Sequence, residues 1–269
     1  MAPFLQPEQI FGPGLSEAAA GALRHLRDTL VRTCRPRGDD DGDLGVAVLE
    51  WREGRVQVTD ARARVLRGGV EWTPWPGGPA GEQGCYDMVF CNHAAELVWT
   101  NLYAGAAFFT LARALLSGRP GACVLGICTD GKQVHKRLEH WGGSPAVFQV
   151  CDGVEMLFGV EFGVPTGRWL AANQSNAFGL RLGGSEHAWR WAYAVRRNDC
   201  LRATKIAGLR PALDTDGHEL MPTSSWNAQL WHYRTGENWP VDVVQGLSEG
   251  GEDWHGLLSQ FSVFAFEPS

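Results

Sequence analysis

The sequence predicts an α+β fold: a mixed or antiparallel sheet packed around a buried central helix at about 94–117, with a β-rich C-terminal half. Three observations carry this expectation. The run His93 to Leu116 is almost continuously apolar, with Glu96 and Arg113 as its formal charges, and it stops at Ser117-Gly118-Arg119-Pro120. That length and that stop suit one buried helix. Before it, three strand-like stretches are separated by Glu53-Gly54 and Gly68-Gly69, the pattern of an antiparallel meander. After it, the apolar and aromatic residues from Phe148 to Phe162, and again from Trp189 to Val195, recur with the two-residue period of strands.

Each element follows from local sequence. Residues 1–14 are rich in Pro and Gly and read as irregular. Ser16 then precedes an amphipathic helix to Arg32, in which Leu23, Leu26 and Leu30 recur at helical spacing. Cys34 to Asp43 is a solvated loop with four aspartates. Leu44–Trp51, Arg55–Leu66 and Val70–Trp75 form the meander, with an irregularity expected at Asp60. Pro76 to Gly84 is a loop, Tyr86 to Phe90 a short strand, and the central helix follows. The apolar run into Thr129-Asp130-Gly131-Lys132, then the alternation from Gln133 to Trp141, predict a hairpin closed by an Asp-Gly turn. Strands are expected around Asp152-Gly153, at Trp226–Arg234, at Ser259–Phe266 and at Asp199–Arg210, with loops at Pro211–Ser225 and Thr235–Gly256. The whole chain, 1–269, reads as a single α+β domain. The Gly-Gly-Ser-Pro stretch at 142–145 offers an alternative division into a helix, meander, helix and hairpin part (15–141) and a β-rich part (146–269).

Composition narrows the class. With 269 residues, 44% hydrophobic and 20% charged, the chain is long enough to bury a core without disulfide or metal staples. A net charge of −6 gives no overall nucleic-acid footprint, although a local basic patch would still serve. The cysteines, Cys34, Cys85, Cys91, Cys123, Cys128, Cys151 and Cys200, are odd in number and dispersed, and Met1 to Gly14 lacks the basic start and apolar stretch of a secretory signal. Reduced thiols and a soluble, cytoplasmic protein are expected. Leu97 to Leu116, the nearest approach to a membrane span, carries Arg113 and several small or polar residues. Oligomeric state is not written in these features.

Five constellations could carry chemistry. Cys123, Cys128, His135 and His140 are soft ligands, but their spacing is uncommon for zinc, and five-residue offsets on a strand place side chains on opposite faces, so no metal is expected there. Cys91 and His93 stand at the expected start of the central helix, where a helix dipole favours a thiolate, and they suggest a Cys-dependent hydrolase or transferase. Asn92 capping that helix is the simpler reading. Glu50, Asp60 and Glu71 lie on successive meander strands, and the order helix, three strands, helix, strand is that of PD-(D/E)xK nucleases. Such an enzyme would hold Mg²⁺ or Mn²⁺ on these carboxylates. The motif requires Lys two residues after the second acid, where this chain has Thr73. Asp214 to Glu219 resembles the start of a calcium loop, but Ser225 stands at the twelfth position where Glu belongs.

The fifth constellation is aromatic. Twelve tryptophans are many for this length. Trp189, Trp191 and Tyr193 share a strand face, Arg190 lies opposite, and Trp231 stands in a later strand; such residues serve as interface anchors. With no catalytic signature, glycine-rich phosphate loop or nucleophile elbow, the sequence favours a binding protein that turns Trp189, Arg190, Trp191, Tyr193 and Trp231 toward a protein partner, in an accessory, immunity or antagonist role. It needs no cofactor and no membrane. The metal-dependent nuclease or phosphodiesterase is the runner-up, and the Cys91 enzyme the third reading.

Overall fold

The computed structural model describes residues 24, 27–34, 42–52, 54–66, 69–131, 133–134, 146–152, 155–162, 177–182, 190–212 and 261–269. Its architecture grows from one strand. Residues 44–50 (Leu-Gly-Val-Ala-Val-Leu-Glu) are buried without a break, and such a run has to be covered on both faces. This strand, β1 (Asp43–Arg52), pairs antiparallel with β2 (Arg55–Leu66), which pairs antiparallel with β3 (Gly69–Pro74). The expected meander is present, and the β1–β2 register runs through Asp60 without a slip. On its other side β1 pairs parallel with β4 (Met88–Asn92), and β4 pairs parallel with β5 (Cys123–Thr129). The strand β11 (Phe261–Pro268) returns antiparallel to β5 and carries the short β10 (Leu209–Pro211) at its edge. The sheet order is therefore β10-β11-β5-β4-β1-β2-β3. The protein is mixed α/β with one large mixed sheet whose centre is parallel.

Parallel neighbours need a crossover connection. Between β4 and β5 it is made by two helices, α1 (Ala95–Val98) and α2 (Leu102–Leu115), where the sequence predicts one helix over 94–117. The break has a local cause. Asn101 adopts an extended conformation, and its Oδ1 accepts from the Tyr103 and Ala104 amides at 2.9 and 3.0 Å, so it caps a new helix instead of continuing the old one. Trp99 folds back onto Gly105, where a Cβ would lie 2.6 Å from the indole ring. Phe109 on α2 then meets Trp99, Phe108, Phe264 and Phe266 edge-on, with centroids 5.5–6.0 Å apart. Gly126 at the middle of β5 makes room for this cluster: a Cβ there would sit 2.1 Å from the Phe264 ring.

The opposite face is covered by the helical residues 27–33, with Leu30 and Val31 fully buried. Asp28 fixes this helix to β3 by accepting from the Trp72 indole at 3.1 Å and the Val70 amide at 3.3 Å, while the Arg27 guanidinium lies over the Trp72 ring.

Two further expectations change. The Asp130-Gly131 pair does not turn a hairpin. Asp130 Oδ1 accepts from the Gln133 amide at 3.1 Å, and the Val134 amide reaches the Asp130 carbonyl at 3.0 Å, so the chain leaves β5 into a helical turn capped by Asp130. The stretch 199–210 is not one strand: most of it belongs to α3 (Arg197–Ile206), and β10 begins only at Leu209; Cys200, Ala203, Thr204 and Ala207 are buried at the three- and four-residue spacing of a helix packed on one side. A second, antiparallel sheet, order β6-β7-β8-β9, is built from β6 (Ala146–Asp152), β7 (Glu155–Phe162), β8 (Ala177–Leu182) and β9 (Arg190–Tyr193). Its strand β9 packs beside α1, and just beyond β9 Val195 bridges Asp130. The stretch at 142–145 and the expected strand at 226–234 lie outside the described residues. The strands β10 and β11, from beyond 145, pair into the seven-stranded sheet. The described cysteines Cys34, Cys85, Cys91, Cys123, Cys128 and Cys200 are free thiols. Among the described residues no helix is long and apolar enough to cross a membrane.

These contacts set an expectation for stability. Gly126→Ala should lower the free energy of unfolding by roughly 2 kcal/mol or more, because overpacking at rigid aromatic rings cannot relax cheaply. Asn101→Ala should cost about 1 kcal/mol through the lost cap. Urea denaturation checks both, and a Gly126→Ala chain as stable as its parent would contradict the packing described.

Candidate active site

In open α/β sheets, the place where strand order reverses leaves an opening at the carboxyl ends of the parallel strands. Here the chain leaves β1 toward β2 and β3, then crosses back to β4 on the other side of β1, so the reversal falls between β1 and β4. The last paired residues at that point are Glu50 and Asn92, in register with each other, with Ile127 of β5 level with Asn92. Of the eight buried polar or charged residues among those described, six stand at this end: Glu50, Asn92, His93, Glu96, Thr129 and Asp130. The other two, Thr29 and Thr204, lie on helices, and Thr204 bonds carbonyls of its own helix. Buried polar groups are costly unless paired, so their concentration at one end of the sheet needs a reason beyond folding.

The pairing is specific. The Asn92 amide donates to Glu50 Oε1 at 3.4 Å, and the Arg52 guanidinium lies 2.7 Å from Glu50 Oε2. Burial raises the Glu50 carboxyl above its ordinary range, while the Arg52 charge, and then the Asn92 bond, pull partly against it. One residue on, His93 turns the chain out of β4 with φ at +47°, the left-handed region that costs a residue with a side chain some strain. Its Nδ1 lies 2.8 Å from Glu96 Oε1, and its ring meets Phe261 edge-on at 5.2 Å. Glu96, fully buried, also accepts from the Thr129 amide at 3.1 Å and the Thr129 hydroxyl at 3.3 Å through the same oxygen. Its Oε2 is buried without a partner among the described residues. Asp130 Oδ2 accepts from the Ser262 hydroxyl at 2.8 Å.

The expected site residues are scattered differently. Glu50, Asp60 and Glu71 do not converge. Asp60 pairs with Ala47, an odd number of residues from Glu50, so the two carboxylates leave opposite faces of the sheet. Glu71 pairs with Arg64, which pairs with Asp43; it shares the face of Asp60 but stands four residues away, about 13 Å along the strands. Asp60 is engaged elsewhere, accepting from the Tyr86 phenol at 2.5 Å and the Ala80 amide at 2.7 Å, which pins the loop before β4. Burial, then this bond, raise the Tyr86 phenol. Among the described residues no cluster of three His, Cys, Asp or Glu is arranged to hold a metal.

Cys91 is not at a helix start but inside β4, fully buried against the core, and that burial pushes its thiol well up, away from a reactive thiolate. Its neighbour His93 does reach the polar cluster, without Cys91. Cys123 and Cys128 are buried on opposite faces of β5: Cys123 donates to the Cys34 carbonyl, while Cys128 joins the core under α2. His135, His140, Trp189, Trp231 and the acidic loop 214–219 lie outside the described residues. Arg190 and Trp191 belong to β9, and Tyr193, half-buried, packs against the main core rather than offering an open recognition face. Sequence reasoning missed Glu96, Thr129 and Asp130. The available signal was positional: each is a polar residue that interrupts or ends an apolar run.

Comparison with protein-family models and with curated proteins gives no match. Solved structures do resemble the chain. They include the CcbJ methyltransferase from Streptomyces caelestis (TM-score 0.38, 14% identity, covering 70% of this chain and 62% of that one). Two others are S-adenosylmethionine-dependent methyltransferases, from Clostridium acetobutylicum (TM-score 0.33, 8% identity, 68% of this chain and 58% of that one) and from Mesorhizobium loti (TM-score 0.30, 14% identity, 68% and 63%). The chain thus spans 58–63% of the length of these structures. These structures are named as methyltransferases, two of them for dependence on S-adenosylmethionine, which runs against the expectations of a non-catalytic, protein-binding chain without a cofactor; at TM-scores of 0.30–0.38 the likeness assigns no activity to this chain. The nuclease and Cys-enzyme alternatives fall on the geometry above.

The Glu50 environment predicts a pH signature. The folded chain holds this proton more tightly than the unfolded chain, so ionised Glu50 costs stability above the ordinary carboxylate range, and the cost disappears as falling pH protonates it. Glu50→Gln, which cannot ionise, should gain stability over its parent at pH 8 and lose that gain by pH 4, measured by urea unfolding at both values. A gain larger at pH 4 than at pH 8 would contradict this.

Proposed function

We propose that this chain is an enzyme that binds S-adenosylmethionine at the carboxyl ends of β1, β4 and β5 and transfers its methyl group. The observation that carries the reading is the concentration of six of the eight described buried polar side chains at the carboxyl ends of β1, β4 and β5, where strand order reverses and open α/β sheets hold their ligands.

The chemistry of the cluster supports a particular kind of ligand. Its groups are mainly acceptors: the carboxylates of Glu50, Glu96 and Asp130 and the Asn92 amide oxygen. Arg52 is the cation that the described ion pairs bring to it. After Arg52 the chain turns directly into β2 rather than through a glycine-rich loop into a helix, so the backbone cradle that dinucleotide folds use for phosphate is not formed at β1. Acceptors without a phosphate cradle suit a ligand with hydroxyls and positive charge. S-adenosylmethionine has both, in its ribose, its ammonium and its sulfonium.

Glu50 and Asn92, at the reversal point, are the residues placed to hold it, and the bound cofactor would supply an electrophilic methyl group. Calorimetric titration of the full chain tests this. Saturable binding of S-adenosylmethionine is expected, weakened about tenfold or more (about 1.4 kcal/mol) by Asn92→Ala, with no binding of ATP or NADH. Absence of S-adenosylmethionine binding, or preference for the polyphosphates, would sink the reading.

A further inference from the structure

We infer that the exposed face of α3 is a docking surface for a partner protein, which meets it with an acidic segment carrying an apolar side chain. The surface shares no residue with the proposed cofactor site, so it stands or falls apart from that reading.

Charge singles out this face. The chain has a net charge of −6, yet residues 196–210 hold Arg196, Arg197, Arg202, Lys205 and Arg210 against the single acid Asp199. All five cations are exposed. Those within α3 lie on its outer side, because Cys200, Ala203 and Thr204 take the inner side against the core. Arg113 of α2 joins them: a Cβ on Gly208, just past α3, would lie 3.3 Å from its Nε. Asp199 lies 3.9 Å from Arg202, and Glu267 lies 2.8 Å from Arg210. Among the described residues no carboxylate pairs with Arg113, Arg196, Arg197 or Lys205. Arg196 and Arg197 also stand at the start of α3, where the helix dipole disfavours cations and no side chain caps the helix. Local folding energetics therefore do not account for these charges.

The partner follows from what accompanies the cations. Ile206 is 57% exposed next to Lys205. An apolar side chain set among charges has the form of a protein interface, an anchor with a polar rim, and finds no counterpart in a phosphate backbone. Charge complementarity then selects an acidic segment. Arg197 and Lys205 are separated by about 12 Å along the helix, so the contact suits a short peptide or one helix rather than a broad permanent interface. The surface begins one residue after Val195, which bridges Asp130, so a docked partner borders the candidate site.

The test uses the full chain and a fluorescent synthetic peptide of repeated Glu-Glu-Glu-Leu, followed by anisotropy. Saturable binding is expected, weakening as salt rises. It should fall about tenfold or more in the double variant Arg202→Glu, Lys205→Glu, and roughly threefold in Ile206→Ser. Thermal unfolding of each variant should match the parent, since the changed side chains are exposed. Carbodiimide cross-linking with mass spectrometry should join Lys205 to a peptide carboxylate. No binding by the parent chain, or binding indifferent to the double variant, would overturn the inference. So would tighter binding of single-stranded RNA or of phosphatidylserine vesicles through the same residues. A cross-link from Lys205 that forms only to a carboxylate of the same chain, or of a second copy, would overturn it too.

Discussion

The site depends on one buried carboxylate. Glu96 has no exposure to solvent, and an acid in that position is tolerated only when its charge or its hydrogen bonds are answered nearby. A single oxygen meets three partners: it accepts from the Thr129 amide and hydroxyl at the end of β5 and lies 2.8 Å from Nδ1 of the His93 ring at the exit of β4. One side chain on a one-turn helix therefore joins the ends of two parallel strands and orients the imidazole between them. His93, at the turn out of β4, has φ at +47°, and the chain after α1 breaks where Asn101 caps a new helix.

The surrounding core keeps this arrangement in place. Gly126 allows Phe264 to lie flat over β5, Phe109 of α2 closes on the Phe264 and Phe266 rings, and Trp99 fills the gap that Gly105 leaves. These contacts bury the face of β4 that carries Val89 and Cys91, so that its polar residues emerge only at the carboxyl end. The second sheet meets the first at that same end. The chain after β9 bridges Asp130, and Gly131 lies so close to the Val195 carbonyl that a Cβ would stand 2.5 Å from it. Polar cluster, capped helical turn and inserted sheet share one border.

Much of the sheet was legible because burial writes period and length directly into sequence. The meander at 43–74, the strand before the crossover and the last strand all follow from apolar patterning and turn glycines. Three features were not legible, for physical reasons. Asn101 is an ordinary polar residue within an apolar run until its side chain caps the next helix. Asp130-Gly131 has the composition of a hairpin turn and serves as a helix cap, because β5 pairs with β4 and β11, both distant in sequence. Cys200, Ala203 and Ala207 are small, so their helical stripe is faint. The site is legible only in fragments: Glu50 and His93 stand out in the sequence, but beside partners that strand parity and register place elsewhere. Their real partners, Asn92 and Glu96, come together only once β4 is threaded beside β1 and α1 folds back.

The most direct test of the central claim is a crystal structure of the full chain grown with saturating S-adenosylhomocysteine. Density for the nucleoside is expected against Glu50 and Asn92. Density at another face of the sheet, or an unoccupied carboxyl end at saturating ligand, would contradict it.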